Sequence, residues 1–121
     1  MIVGVHHAQI SIPVGEEDAG REFYLGFLGL EEVEKPASFA GRGGYWMLAG
    51  SFYVHVGTED GVDRRATKVH LAYAVTDLSA WRKRLKERGI KTLSGPVIPG
   101  HDRLEFRDPF GNRVELIQRI R

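Results

Sequence analysis

The sequence contains no cysteine, and this absence excludes disulfide bridges, thiolate metal sites and thiol nucleophiles. It contains no apolar run near the roughly 20 residues that a membrane-spanning helix needs, and its N-terminus, MIVGVHH, has no basic segment of the kind that begins an export signal. Neither sign of charge is in excess, because 17 Lys and Arg face 16 Asp and Glu. We therefore expect a cytoplasmic protein that binds neither nucleic acid nor membranes.

The 121 residues, 42% of them hydrophobic, predict one domain with its own core. Within it, a strand, a helix and three strands occur twice, in a module over residues 1–57 and a module over 69–121, joined by a polar linker over 58–68. The predicted strands cover 3–12, 30–35, 45–49, 52–57, 69–76, 90–93, 104–107 and 112–119. The predicted helices cover 16–28 and the segment between the N-cap Asp77 and Gly89. The pattern is a weak internal duplication.

The stretch DPFGNRVEL, residues 108–116, places a carboxylate in an unusual position. Asp108 to Asn112 is a turn sequence, and a strand follows in which Val114 and Leu116 share one face. Glu115 lies between them and points to the opposite face, although glutamate is a poor strand residue. Its position therefore calls for a specific role.

Three histidines share this pattern. His7 and His70 occupy the opening strands of the two modules, and His55 occupies the last strand of the first module, between two valines. Each lies opposite the apolar face, as Glu115 does. If the two sheets curve, the four side chains line one cup. Imidazole and carboxylate together suit Zn²⁺, Ni²⁺, Mn²⁺ or Fe²⁺, so the sequence predicts a divalent metal site.

Four segments carry a family resemblance that covers the whole chain: HHAQISI, REFYLGFLGLEE, KVHLAYAVTDLSAW and RDPFGNRVELIQ. The sequence resembles the vicinal oxygen chelate superfamily, which includes glyoxalase I, bleomycin-resistance proteins, fosfomycin-resistance proteins and extradiol dioxygenases. The resemblance implies an α+β fold of two pseudo-symmetric βαβββ modules, in which a curved, cup-like mixed sheet carries its helices outside. It also implies a divalent metal held by His7, His70 and Glu115, and often a dimer.

The resemblance leaves several reactions open. Glyoxalase I has a glutamate ligand at the position matched to His55, and fosfomycin-resistance enzymes have a catalytic threonine where Gln9 stands. Bleomycin-binding members lack the metal ligands that this chain retains. Extradiol dioxygenases need an acid–base histidine and a tyrosine near the iron, and His55 and Tyr53 are candidates for these.

We therefore expect a metal-dependent lyase or isomerase of the glyoxalase type, acting on a small substrate that chelates the metal through adjacent oxygens. The alternatives are an Fe(II) extradiol dioxygenase and a non-catalytic binding or resistance protein. Glu115 and His55 are the predicted catalytic residues. The predicted substrate-binding residues are Gln9, Arg42, Tyr53, Arg103 and Arg113. A homodimer is expected in which each site takes His7, with His55 as a further candidate, from one chain and His70 with Glu115 from the other. Pairing of the two modules within one chain is the alternative.

Overall fold

The structure is a computed structural model of the chain, and it describes residues 1–120. The chain forms two compact units, Met1–Val62 and a second that begins at Asp63, and each has its own sheet. The predicted mixed α+β fold with two β-rich halves is confirmed. Among the described residues, none of the helices has the length and apolar character that crossing a bilayer requires.

The first unit is built on a four-stranded sheet. Its strands are β1 (His7–Ile12), β2 (Glu31–Val33), β3 (Tyr45–Ala49) and β4 (Phe52–Thr58). Their order is β1-β4-β3-β2, with β1 parallel to β4 and the other pairs antiparallel. A short 3₁₀ turn, Ala37–Phe39, precedes β3. The core side chains have at most 2% exposure and are Ile12, Phe23, Tyr24, Tyr45, Met47, Val54 and Val56.

The helix predicted over 16–28 is present, but its second half is wider than an α-helix. The α-helical part, α1 (Glu17–Arg21), continues into a π-helix, Glu22–Phe27. There the backbone N–H of Leu28 donates to the carbonyl of Phe23, five residues back, at 2.8 Å. The π-helix contains two consecutive buried aromatic residues, Phe23 and Tyr24. Periodicity of 3.6 residues does not predict such a turn.

The second unit contains β5 (His70–Ala74), α2 (Leu78–Glu87), β6 (His101–Arg107) and β7 (Arg113–Arg119). The strand order is β5-β7-β6, with β5 parallel to β7 and β6 antiparallel to it. The helix begins where predicted, because the Asp77 carboxylate accepts a hydrogen bond from the Ala80 N–H at 3.1 Å. The core residues are Leu78, Leu85, Leu104, Phe106, Val114 and Leu116.

The prediction of a strand over 90–93 is wrong. Only Leu93 pairs, in an isolated bridge in which it exchanges two backbone hydrogen bonds of 2.8 Å with Glu105. The residues after Leu93 also prevent a strand from continuing past the bridge. Pro96 has no N–H to donate, and Gly95 lies directly under the Arg103 guanidinium, where a side chain would collide with it. The second unit therefore has three strands and one bridge where four strands were predicted.

The opening and closing strands of each unit are adjacent, parallel and offset by the same amount. In the first sheet, the residue two after His7 is the Cα partner of His55. In the second sheet, the residue two after His70 is the partner of Glu115. Side chains at i and i+2 lie on one face of a strand. The pairs His7–His55 and His70–Glu115 are therefore diagonal neighbours on equivalent faces.

Candidate metal centre and its surroundings

In the first unit, His55 stacks with two other rings. Its imidazole lies parallel to the Trp46 indole, with centroids 3.7 Å apart and an interplanar angle of 3°. The His7 ring stacks on His55 at 4.0 Å and 19°. The neighbours of His55 along the strand, Val54 and Val56, are buried in the core. His7 and His55 thus share the face opposite the core.

The stack leaves His55 only 9% exposed. Burial lowers the pKa of the His55 imidazole below the ordinary 6.5, and the positive charge that His7 and His6 carry when protonated lowers it further. His55 is consequently neutral at pH 7. A neutral imidazole is the form that binds a metal or accepts a proton.

A pocket of about 240 Å³ opens on this face of the first unit. Gln9 and Arg42, two of the predicted substrate-binding residues, line it together with His55. The Arg42 guanidinium lies 5.5 Å from the centroid of the Phe39 ring. Tyr53 is not among the lining residues, since its ring is exposed and stacks at 6.5 Å on His6.

In the second unit, both ring nitrogens of His70 face hydrogen-bond acceptors. Its Nδ1 is 2.8 Å from the Lys68 carbonyl oxygen, and its Nε2 is 3.0 Å from Oε1 of Glu115. A carbonyl cannot donate, so the Nδ1 proton is directed to Lys68. Nε2 is then the ring atom that faces the Glu115 carboxylate, and its lone pair is available to a cation. Metal-binding histidines commonly have this arrangement, with one N–H on a backbone carbonyl and the other nitrogen free to coordinate.

Glu115 is 4% exposed and belongs to a network of charges. The Arg103 Nη1 donates to Oε1 of Glu115 and to Oε1 of Glu105, each at 3.1 Å. Arg113 Nε lies 3.3 Å from Oε2 of Glu105. Two predicted substrate-binding arginines therefore neutralise carboxylates inside the unit. Arg103 is fixed further because its Nε donates to the Pro96 carbonyl at 2.9 Å.

The sequence analysis missed Glu105. It is the direct cross-strand partner of Glu115, a pairing of like charges that is unfavourable without a cation. The sequence pattern that identified Glu115 is also present here. Glu105 lies between the buried residues Leu104 and Phe106, just as Glu115 lies between Val114 and Leu116. Alternation identified candidate ligands only in the first and last strands of each half, and Glu105 lies in the strand before the last.

The ligand atoms of His70, Glu105 and Glu115 all lie within 4.8 Å of one another. One imidazole and two carboxylates fit a divalent transition metal ion. His7 belongs to the first unit, and its membership of the ligand set stays a prediction.

The turn before Glu115 is held by the side chain of Asp108. Oδ1 of this buried carboxylate accepts hydrogen bonds from the N–H groups of Phe110 and Asn112, at 2.9 and 2.8 Å. Oδ2 accepts from the Asn112 side-chain amide at 2.9 Å. Gly111 takes a positive φ of 100°, as its role in the turn requires. The turn thereby sets the register in which Glu115 meets Glu105.

The chain belongs to the Glyoxalase/Bleomycin resistance protein/Dioxygenase superfamily, whose family model matches residues 4–116. A crystal structure of a candidate glyoxalase-family protein from Bacillus anthracis is similar to it at 34% identity, with a TM-score of 0.88, over 98% of this chain and 97% of the other. This confirms the predicted family.

Two other proteins are informative. MhqO of Bacillus subtilis (strain 168), named as a candidate ring-cleaving dioxygenase, is 27% identical over 97% of this chain, which spans only 40% of the length of MhqO. The fosfomycin resistance protein FosX of Listeria monocytogenes, solved with Mn(II) and sulfate, shares the fold with a TM-score of 0.72 at 18% identity. That match covers 96% of this chain and 90% of the FosX chain.

Proposed function

We propose that the chain is a metal-dependent enzyme of the glyoxalase-like lyase or isomerase type, which acts on a small substrate through two adjacent oxygens. The observation that carries this proposal is the environment of His70. Its Nε2 and Oε1 of Glu115 are 3.0 Å apart. Two donor atoms can have this separation when each lies about 2 Å from the same ion. Zn²⁺, Ni²⁺, Mn²⁺ and Fe²⁺ all suit the donor set.

A divalent ion held by His70 and Glu115 would supply Lewis acidity to the substrate oxygens. The protein supplies the remaining chemistry. Glu115 is shielded from water and can accept a proton from the substrate, while Arg103 holds the charge and orientation of its carboxylate. Glu105 offers a second carboxylate at the same face. The acid–base role proposed for His55 is supported by its neutral imidazole.

The test is metal analysis of protein purified without an affinity tag. His70→Ala and Glu115→Gln should each lower the bound metal at least tenfold, whereas His101→Ala should not. His101 is a matched control, because its Nδ1 also lies near a backbone carbonyl two residues earlier, at 2.9 Å. Full metal occupancy in His70→Ala would refute the proposal. His7→Ala, measured alongside, tests the third predicted ligand.

A ring-cleaving dioxygenase is the second candidate, favoured by the similarity to MhqO. The two candidates differ in their need for oxygen. A dioxygenase loaded anaerobically with Fe²⁺ should consume one O₂ per dihydroxybenzene cleaved and lose activity when Zn²⁺ replaces the iron. A lyase or isomerase should turn over under nitrogen with a redox-inert ion. Absence of metal from the purified protein would instead favour a binding protein.

We also propose a homodimer in which each site combines His7 of one chain with His70 and Glu115 of the other. The weak duplication and the equivalent diagonals in the two sheets support this arrangement. Refolding a mixture of His7→Ala and Glu115→Ala proteins should restore one intact site per heterodimer. A monomer in sedimentation, or no metal binding in the mixture, would contradict the shared site.

A further inference from the structure

A second pocket, of about 370 Å³, lies in the second unit on the side of β6 that faces the Leu93 bridge. Its volume is in the range of small-molecule sites. Part of its wall is apolar and is formed by Ile90, Leu93 and Phe106. Leu93 is 56% exposed, so this wall is open to a ligand from solvent.

The rest of the wall is strongly cationic. Four basic side chains line the pocket: Arg65, Lys91, Arg107 and Arg113. The two carboxylates there, Glu105 and Asp108, are already engaged, Glu105 by arginines and Asp108 by the donors of its turn. Positive charge is therefore left over on the pocket lining, where Arg65 and Lys91 are exposed to solvent.

Three of the four cations lack an anionic partner. The side chains of Arg65 and Lys91 have no hydrogen-bond or ion-pair partner in residues 1–120. Arg107 donates only to neutral carbonyls, those of Arg64 at 3.3 Å and Gly111 at 3.0 Å. Cations gathered around a partly apolar pocket attract an anion more strongly than cations on an open surface do.

Arg65 is placed at the pocket by the backbone around it. Its own N–H donates to the Asp63 carboxylate at 3.2 Å, and Arg107 ties the preceding carbonyl to β6. Its side chain crosses Gly111, where an added Cβ would lie 2.9 Å from the Arg65 Cγ. Glycine at this position therefore leaves room for the Arg65 side chain.

We infer that this pocket is a subsite for a carboxylate or similar oxyanion joined to an apolar body. The inference rests on the proposed function for its link to the metal, because Glu105 and Arg113 belong both to the pocket wall and to the charge network around Glu115. A substrate anchored here by its anionic end has its reactive portion beside the metal donors. The inferred substrate class is a small apolar acid.

The experiment titrates the full-length protein with benzoate, benzamide and inorganic phosphate, monitored by backbone amide NMR shifts. Benzoate should bind saturably and shift the amides of Leu93 and Phe106. Benzamide, which has the same body without the charge, should bind at least about tenfold more weakly. Phosphate should compete with benzoate if the site takes any oxyanion. Absence of competition would restrict the subsite to carboxylates.

The double variant Arg65→Gln with Lys91→Gln should weaken benzoate binding about tenfold or more. The control double variant, Lys83→Gln with Lys86→Gln, makes the same change in net charge on the exposed face of α2 and should bind benzoate normally. No saturable benzoate binding, or equal weakening in the two double variants, would overturn the inference.

Metal content of the same samples separates this inference from the proposed function. Neither double variant should lose metal, since neither changes a metal donor. Normal metal content without benzoate binding would refute the subsite alone. Benzoate binding in protein that takes up no metal would refute the proposed function alone.

Discussion

Replacing Asp108 with Ala should be among the most destabilising single changes outside the apolar core. The Asp108 carboxylate is 3% exposed, and the hydrogen bonds that it accepts include three at 2.8, 2.9 and 2.9 Å. Hydrogen bonds to a charged group contribute about 1.5–3 kcal/mol each. The loss of stability in Asp108→Ala is smaller than their sum, because water can hydrogen-bond some of the donors once the carboxylate is removed. We expect a loss of about 3 kcal/mol, a large share of the roughly 6–18 kcal/mol typical of a chain this long.

Asp108→Asn should lower the free energy of unfolding less, by about 1–2 kcal/mol, because the amide keeps one oxygen for the two backbone donors and gives up the hydrogen bond from the Asn112 side chain. Urea unfolding measures both values, as a lower midpoint at an unchanged slope. Asp102→Ala is the control, since this exposed carboxylate should contribute less than about 1 kcal/mol. If Asp108→Ala costs no more than Asp102→Ala, the turn is not held by this side chain.

Three further outcomes are expected. Gly20→Ala should lower the free energy of unfolding by about 1–3 kcal/mol, because the added Cβ would lie 2.7 Å from the buried Tyr45 hydroxyl. Gly26→Ala is the control, and it should be neutral or stabilising in thermal unfolding because its Cβ would have no contact nearer than 3.9 Å. Gly44→Ala should lower stability severely, because φ is +76° and the new methyl would overlap the backbone of β4. In metal-free protein, His55 should titrate below 6.5 by NMR. The contribution of His55 to stability is then complete above pH 6.5 and is lost as pH falls through its folded pKa. His55→Gln should abolish this pH dependence. A normal titration of His55 would contradict the reasoning.

Much of the fold was predictable, because the sequence signals that define it are local. Alternation identified β4 and β7, and Asp77 fixed the start of α2. The errors have non-local causes. The π-helical turn contains two consecutive buried rings, Phe23 and Tyr24, and the Arg103 guanidinium lies against Gly95 just after the Leu93 bridge.

The strand faces that carry the candidate site residues were predictable to a similar degree. The faces of His7, His55, His70 and Glu115 follow from strand period alone. The interactions of Arg103 and Arg113 do not, because a sequence shows that a charge is present but not which partner it meets. Their pairing with Glu105 depends on the register between β6 and β7.

The equal offset of the parallel strand pairs has an evolutionary consequence. One position on the closing strand determines which side chain lies diagonal to the histidine of the opening strand. His55 occupies this position in one sheet and Glu115 in the other. The backbone pairing does not depend on which side chain occupies this position, and the core is unaffected because it lies on the other face of the sheet. A single codon change at this position can therefore exchange the side chain presented in one sheet without altering the strand pairing or the core of either sheet.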